Sequence, residues 1–256
     1  MSTTVLLHAH PDDEAIFTGG TIALLAGRGH RVVVLFATSG ELGLGAGPEL
    51  AERRREEARR ACEVLGASRV VFLDHHDSGG SDDAWHRPWG AFADVRVDVV
   101  ADHVAALCEQ EQASALVTYD AEGVYGHPDH VQAHRVGRLA AMMADLPTWY
   151  EVTLDREHLH FVESHVAAAA GRSIRSAAPI GVPTVEVSTT VDVRPVLSRK
   201  LEAIAAHRSQ VEDPTFGAGD RFEEVYGFEW FVRHGAPGAI EELAMGPVER
   251  SGSVAR

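Results

Sequence analysis

Short, unbroken apolar runs alternate with longer stretches of helical spacing through the first half of the chain. "TTVLLHAH", "RVVVLFATSG", "SRVVFLDHH" and "SALVTYDAEG" lack the in-out alternation of a half-solvated strand. They predict strands buried on both faces. Between them, "TGGTIALLAGRGH", "PELAERRREEARRACEVLG", "VRVDVVADHVAALCEQEQ" and "HPDHVQAHRVGRLAAMMA" carry apolar residues at helical spacing. Such an alternation predicts an α/β fold: a Rossmann-like, doubly wound, mostly parallel sheet with helices on both faces. After about residue 148 the pattern weakens. "TWYEVTL" and "LHFVES" read as strands, and "VRPVLSRKLEAIAAHRSQ" as a further helix. From Gly235 the chain is punctuated by Gly and Pro, which predicts a loose tail. The expectation is a single domain over residues 1–234 with an elaborated C-terminal third, followed by a tail over 235–256.

Composition narrows the class. The chain has 256 residues, 45% of them hydrophobic, enough for one sizeable core. A net charge of -15 argues against nucleic acid or an anionic membrane surface as partner. Only two cysteines occur, Cys62 and Cys108, both inside helical patterns, so they read as small buried residues of a reducing compartment. No signal-peptide pattern opens the chain, and no apolar run is long enough to span a bilayer. A cytoplasmic location is expected, and a homo-oligomer is compatible with the pattern.

The candidate chemistry lies in two echoing stretches, "HPDDE" at His10–Glu14 and "GHPDH" at Gly126–His130. Pro11 disfavours a helical conformation at His10, which puts His10 at the strand exit. Proline itself suits a first helical turn, where the helix dipole favours Asp12, Asp13 and Glu14. That reading accounts for the acids as an ordinary helix start. It leaves the histidines unexplained. His10 and Asp13 are three apart, as are His127 and His130, a spacing that puts each pair on one helix face.

Ligands of open α/β sheets bind beyond the carboxyl ends of the strands where strand order reverses, between the first and fourth strands in the usual order. The two motifs follow those strands, so the topology predicts that they meet. His10, Asp13 and His130 then form a set of two imidazoles and one carboxylate. It suits zinc with an open position, and iron(II) or another divalent ion shares the same donors. Asp12 and His127 remain beside it. A carboxylate and an imidazole there suit amide hydrolysis, one taking a proton from water and the other giving one to the amine.

"AHPDDE" with "GGTIA" after the first strand, and "GHPDH" after the fourth, resemble the LmbE-like deacetylases, also known as the PIG-L family. "TSGELG", "DSGG" and "KLEAIAAHRSQ" extend the resemblance over most of residues 3 to 212. It implies a zinc-dependent N-deacetylase acting on an N-acylated amino sugar or sugar–inositol conjugate. It also implies metal binding by His10, Asp13 and His130, with Asp12 as general base. His127 is implied as the acid or cationic stabiliser held by Asp129, Tyr125 as a stabiliser of the oxyanion, and Arg54 as a substrate contact. A solvated helix face is the plainer reading of Arg54. The chain departs from the family pattern in "DSGGSDD" and "AWHRPWG", which would edge the pocket. His75 and His76 are extra polar groups there, and His207 of "HRSQ" reads as structural.

Three rivals stand beside this reading. "LDHHDSGG" contains an Asp-His-His strand end like that of a metal phosphoesterase group, but leaves "HPDH" without a role. "SGELGLGAGP" lacks the spacing of a dinucleotide-binding loop and follows the second strand. A non-catalytic descendant is disfavoured by the intact set of His10, Asp12, Asp13, His127 and His130.

Overall fold

The computed structural model describes residues 1–45, 47, 49–80, 87–162, 180–216 and 218–244. Seven strands form one sheet in the order β3-β2-β1-β4-β5-β7-β6. β1 (Thr3–His8), β2 (Arg31–Thr38), β3 (Arg69–His75), β4 (Ala115–Tyr119) and β5 (Thr148–Thr153) run parallel to one another. Every residue of β1 and β4 is buried, and β2 exposes only Arg31. Helices cover both faces, which is why these strands carry no polar alternation.

On one face, α2 (Gly19–Gly27) and α3 (Leu50–Leu65) pack with α8 (Leu197–Ala206); elsewhere α4 (Val97–Gln110) packs on α6 (Pro128–Met143), which lies against β1, β4 and β5. α3 stops at Gly66, whose φ of 86° lets its N–H turn back to the Cys62 carbonyl. Cys62 and Cys108 are free and buried. Among the described residues no helix is long and apolar enough to cross a membrane.

β1 and β4 are direct neighbours, with Thr4 opposite Ala115. Their carboxyl ends lead into the short α1 (Asp13–Phe17) and, through α5 (Gly123–Gly126), into α6. Pro128 is in the first turn of α6, as its fixed φ favours. The crossover predicted from the strand count is therefore present.

The C-terminal third differs from expectation. "LHFVES" is not a strand: residues Arg156–Phe161 form helix α7, and the last two residues of that stretch lie outside the described ones. The cause is Asp155, whose carboxylate accepts from the Glu157 and His158 N–H groups and starts the helix. The sheet is completed instead by β6 (Thr189–Asp192) and β7 (Phe228–Gly235), both antiparallel to their partners. Helix α9 (Phe222–Tyr226) precedes β7.

The tail also differs. Ala239, Ile240 and Leu243 are buried. Glu241 accepts from the Tyr150 hydroxyl at 2.6 Å and from the Thr189 hydroxyl at 2.8 Å. The chain is thus packed as far as Ala244, because apolar residues spaced between the glycines find the end of the sheet. Residues 245–256 lie outside the described ones.

Candidate active site

The first motif does not form a relaxed helix start. Asp12 precedes α1 with φ 110° and ψ -33°, a left-sided backbone that costs a non-glycine residue of order 1–3 kcal/mol. Its surroundings hold it there. Its N–H donates to Glu14 Oε2 at 2.9 Å, and its carbonyl accepts from Ala15 and Ile16. Arg54 bonds both the Pro11 carbonyl and the Asp12 carboxylate, the latter at 3.1 Å, and reaches the Gly40 carbonyl at 2.8 Å. A Cβ on Gly40 (φ 64°) would fall 2.3 Å from the Arg54 guanidinium, so glycine is what admits that side chain.

The second motif is presented by a turn built on Asp120, whose carboxylate accepts from the Glu122 and Val124 N–H groups. Gly123 (φ 64°) touches α6 so closely that a Cβ would meet the His130 Cβ at 2.7 Å. The Gly123 carbonyl faces His130 Nδ1 at 3.2 Å. That bond fixes the ring and leaves Nε2 buried with no hydrogen-bond partner.

These two constructions converge on Asp13. Its Oδ2 is 3.3 Å from His130 Nε2 and 3.4 Å from His10 Nδ1. A tetrahedral ion with ligands at about 2.0–2.1 Å separates its donor atoms by roughly 3.3–3.4 Å, which these two separations from Asp13 match. The orphaned Nε2 of His130 is likewise what a metal ligand looks like without its ion. The ligand nitrogens of His10, His127 and His130 also lie within 4.8 Å of one another, as do the ligand atoms of His10, Asp77 and Asp129.

The other nitrogen of His10 is held by carboxylates. Asp129 Oδ2 is 3.1 Å from His10 Nε2, and Asp77 Oδ1 is 3.8 Å away. A carboxylate behind a ligating histidine orients the ring and strengthens it as a donor. Tyr119, fully buried at the end of β4, donates its hydroxyl to Asp13 Oδ2 at 2.8 Å and stacks on His130 with centroids 4.1 Å apart.

The electrostatics follow from burial and neighbours. Burial disfavours the Asp13 carboxylate, but His130 and His10 outweigh it and hold the pKa well below the usual range. Burial raises Asp12 to about 6, against the pull of Arg54. Burial, assisted by His10 and His130, lowers His127 to about 4. Desolvation and the nearby Asp13 and Asp12 carboxylates raise the Tyr125 phenol, which stays protonated although the residue is partly exposed.

Most residues named from sequence come together: His10, Asp13, Tyr125, His127, Asp129 and His130 form one connected cluster, with the Tyr125 and His130 rings 4.9 Å apart, while the Asp12 carboxylate lies against Arg54. Two details are corrected. The Asp129 carboxylate does not hold His127; it is taken by His10 and by Ser78, and it is the Asp129 backbone N–H that donates to His127 Nδ1 at 3.2 Å. His127 caps the N-terminus of α6, so the bond comes from the helix backbone. Arg54 does not lie on a solvated face; it is buried beneath the Asp12 turn.

His75 packs on Phe92, and exposed His76 meets Glu41, so the Asp-His-His strand end does not join the cluster. Asp74 is exposed and paired with Arg55. The "DSGG" segment contributes Asp77 and Ser78 to the floor, and residues 81–86 of the following loop lie outside the described ones.

Sequence reading missed Tyr119, Ser78, Asp77 and Glu14. Glu14 is fully buried, binding His207 Nε2 at 2.6 Å through one oxygen and the Asp12 N–H through the other. "HRSQ" therefore buttresses the Asp12 turn, with Ser209 donating to Glu57 of α3. A carboxylate following "HPDD" and a late histidine were the available signals.

Comparison with known proteins gives the family. Residues 5–141 match the family model described as PIG-L, GlcNAc-PI de-N-acetylase. A 1D-myo-inositol 2-acetamido-2-deoxy-alpha-D-glucopyranoside deacetylase of Actinosynnema mirum is 35% identical over 84% of this chain and 83% of its own length. The Rhodococcus opacus protein of that name is 36% identical over 81% of each chain. In fold, the chain is similar to the N,N'-diacetylchitobiose deacetylase of Pyrococcus horikoshii, with a TM-score of 0.62, 22% identity, and coverage of 91% of this chain and 84% of that one.

Proposed function

Because this chain belongs to the PIG-L family, we propose that it is a metal-dependent hydrolase that removes an acetyl or related acyl group from the nitrogen of an amino sugar or sugar–inositol conjugate. The observation that carries the reading is the convergence of His10 and His130 on Asp13, with Asp12 alongside.

His10, Asp13 and His130 would hold the ion, with zinc the best match to two imidazoles and a carboxylate and iron(II) the next. When bound there, a divalent ion polarises an amide carbonyl and lowers the pKa of water. The remaining chemistry belongs to the side chains. Asp12, raised to about 6, is suited both to accept a proton from water and to give one up near neutral pH. Its direction is set by Arg54 and by the Glu14 bond to its backbone.

His127 accepts at Nδ1, so its neutral ring carries the proton on Nε2. With its pKa lowered to about 4, the ring is neutral at pH 7. We therefore assign it as a hydrogen-bond donor to the tetrahedral oxyanion, together with the Tyr125 hydroxyl. Asp12 then passes its proton to the departing amine. Proton delivery by His127 itself, the role implied by family resemblance, would require a cationic ring that burial opposes.

The test is acetate release from a panel of N-acetylated amino sugars, including N-acetylglucosaminyl-inositol, by protein loaded with a single divalent metal. Acetate and free amine in equal amounts are expected. Hydrolysis of phosphodiesters with no amide cleaved would overturn the reading.

A further inference from the structure

Beside the histidine cluster, on its β5 side, a pocket of about 290 Å³ lies among α1, β5, α7, α9 and β7. Phe17, Leu159, Val162, Phe228 and Trp230 give it a largely apolar lining, and Tyr125 forms part of the same wall. Tyr125 belongs to both places, since its ring is 4.9 Å from that of His130. Phe17 is likewise 6.2 Å from His130. A molecule held at the cluster therefore has this cavity as its neighbour.

The charged groups on the walls are already paired within the chain. Lys200 donates to Glu229 at 2.7 Å, and Glu229 also accepts from the Gly20 and Thr21 N–H groups. Asp155 accepts from two backbone N–H groups and from Thr184, and Thr153 donates to Asp120. Of the buried wall atoms His158 Nε2 is left unpartnered, and the Tyr125 and Tyr226 hydroxyls and the Trp230 N–H are the remaining polar groups of the lining. The several hydroxyls of a sugar placed here would lose their water and find few partners on a largely apolar wall, at a cost of about 1–3 kcal/mol for each group left unpaired. A hydrocarbon chain loses nothing.

We propose that this pocket receives the hydrocarbon chain of an N-acyl group longer than acetyl. The inference rests on the amide-hydrolase reading and specifies its substrate: an amino sugar whose nitrogen carries a medium-length acyl chain. Water adds across the C–N bond, which breaks to give the medium-chain carboxylate and the free amine. A dry apolar cavity of about 150 Å³ admits a benzene ring, so this volume accommodates an acyl chain of roughly six to eight carbons. The sugar remains outside, where its hydroxyls keep their hydrogen bonds.

The experiment compares N-acetyl-, N-hexanoyl- and N-octanoylglucosamine with octyl N-acetylglucosaminide, using metal-loaded protein and reading kcat/KM. A single methylene in an apolar pocket is worth upwards of about tenfold, so hexanoyl should exceed acetyl by at least that factor. Leu159→Trp on α7 and Val225→Trp on α9, both at lining positions, should fill the pocket and bring the hexanoyl-to-acetyl ratio toward unity. The ratio does not depend on how much of a variant folds. Acetate release without any hexanoyl advantage overturns the inference and leaves the amide-hydrolase reading standing. Preference for the octyl glycoside, lost in the tryptophan variants, also overturns it, since the pocket would then serve the amine side. If no amide of any length is cleaved, the functional reading fails, and calorimetric titration with hexanoate decides the pocket: binding lost in Leu159→Trp supports it, and no binding overturns it.

Discussion

Asp129 Oδ2 lies 3.1 Å from His10 Nε2, so a residue of the second histidine motif supports a ligand of the first. The Ser78 N–H and hydroxyl hold the same carboxylate from the end of β3. Three strand exits are thereby tied to one imidazole. The two motifs are mechanically a single unit, although they are far apart in sequence.

Asp129→Asn tests that unit. The amide keeps the size but removes the charge behind His10, and a change of this kind typically lowers metal affinity about 10–100-fold. Chelator competition should register that loss, while His127, held by the backbone N–H, keeps its orientation. Unchanged affinity would mean that Asp129 does not support His10 as a ligand.

Arg54 separates a positioning role from a substrate contact. Its two terminal nitrogens are engaged by Pro11, Gly40 and Asp12, all within this chain. Arg54→Lys retains the charge but cannot reproduce the fork, so kcat should fall by roughly tenfold or more with KM little changed. A rise in KM at constant kcat would return Arg54 to the substrate.

His207 makes stability depend on pH. Burial opposes its charge, but the adjacent Glu14 prevails and raises its pKa above the ordinary histidine value. A group whose pKa is raised by folding stabilises the protein fully below the unfolded value of about 6.5, and that contribution is lost as pH rises through the folded value. His207→Gln should therefore be less stable than the natural chain by about 3–5 kcal/mol in acid, the usual cost of breaking a buried pair. The gap should narrow on going alkaline. Urea midpoints measured from pH 5.5 to 9 check this; a gap that widens with pH contradicts it.

Much of this site was legible in the sequence, for identifiable reasons. Unbroken apolar runs marked the parallel strands, and the strand count placed both histidine motifs at the β1–β4 crevice. What stayed hidden depends on partners distant in sequence. Arg53, Arg54 and Arg55 look alike along the chain, yet only Arg54 is buried, because Gly40 and Gly43 leave room above it. The left-sided backbone of Asp12 has no sequence signature, and the dipole argument predicted an ordinary helix start instead. β7 was missed because Glu229 interrupts its apolar pattern; only Lys200, on α8, makes that buried glutamate intelligible. The tail was misread for a similar reason, since Glu241 finds Tyr150 and Thr189 only once the sheet has formed.

The central claim is that both motifs grip one ion and leave Asp12 free to move protons. Metal content and acetate release, measured together on the natural chain, His130→Ala and Asp12→Ala, test it most directly. The account predicts one ion per natural chain, loss of both metal and turnover in His130→Ala, and retained metal with turnover lowered by at least about 100-fold in Asp12→Ala. Full metal in His130→Ala, or near-normal turnover in Asp12→Ala, would contradict it.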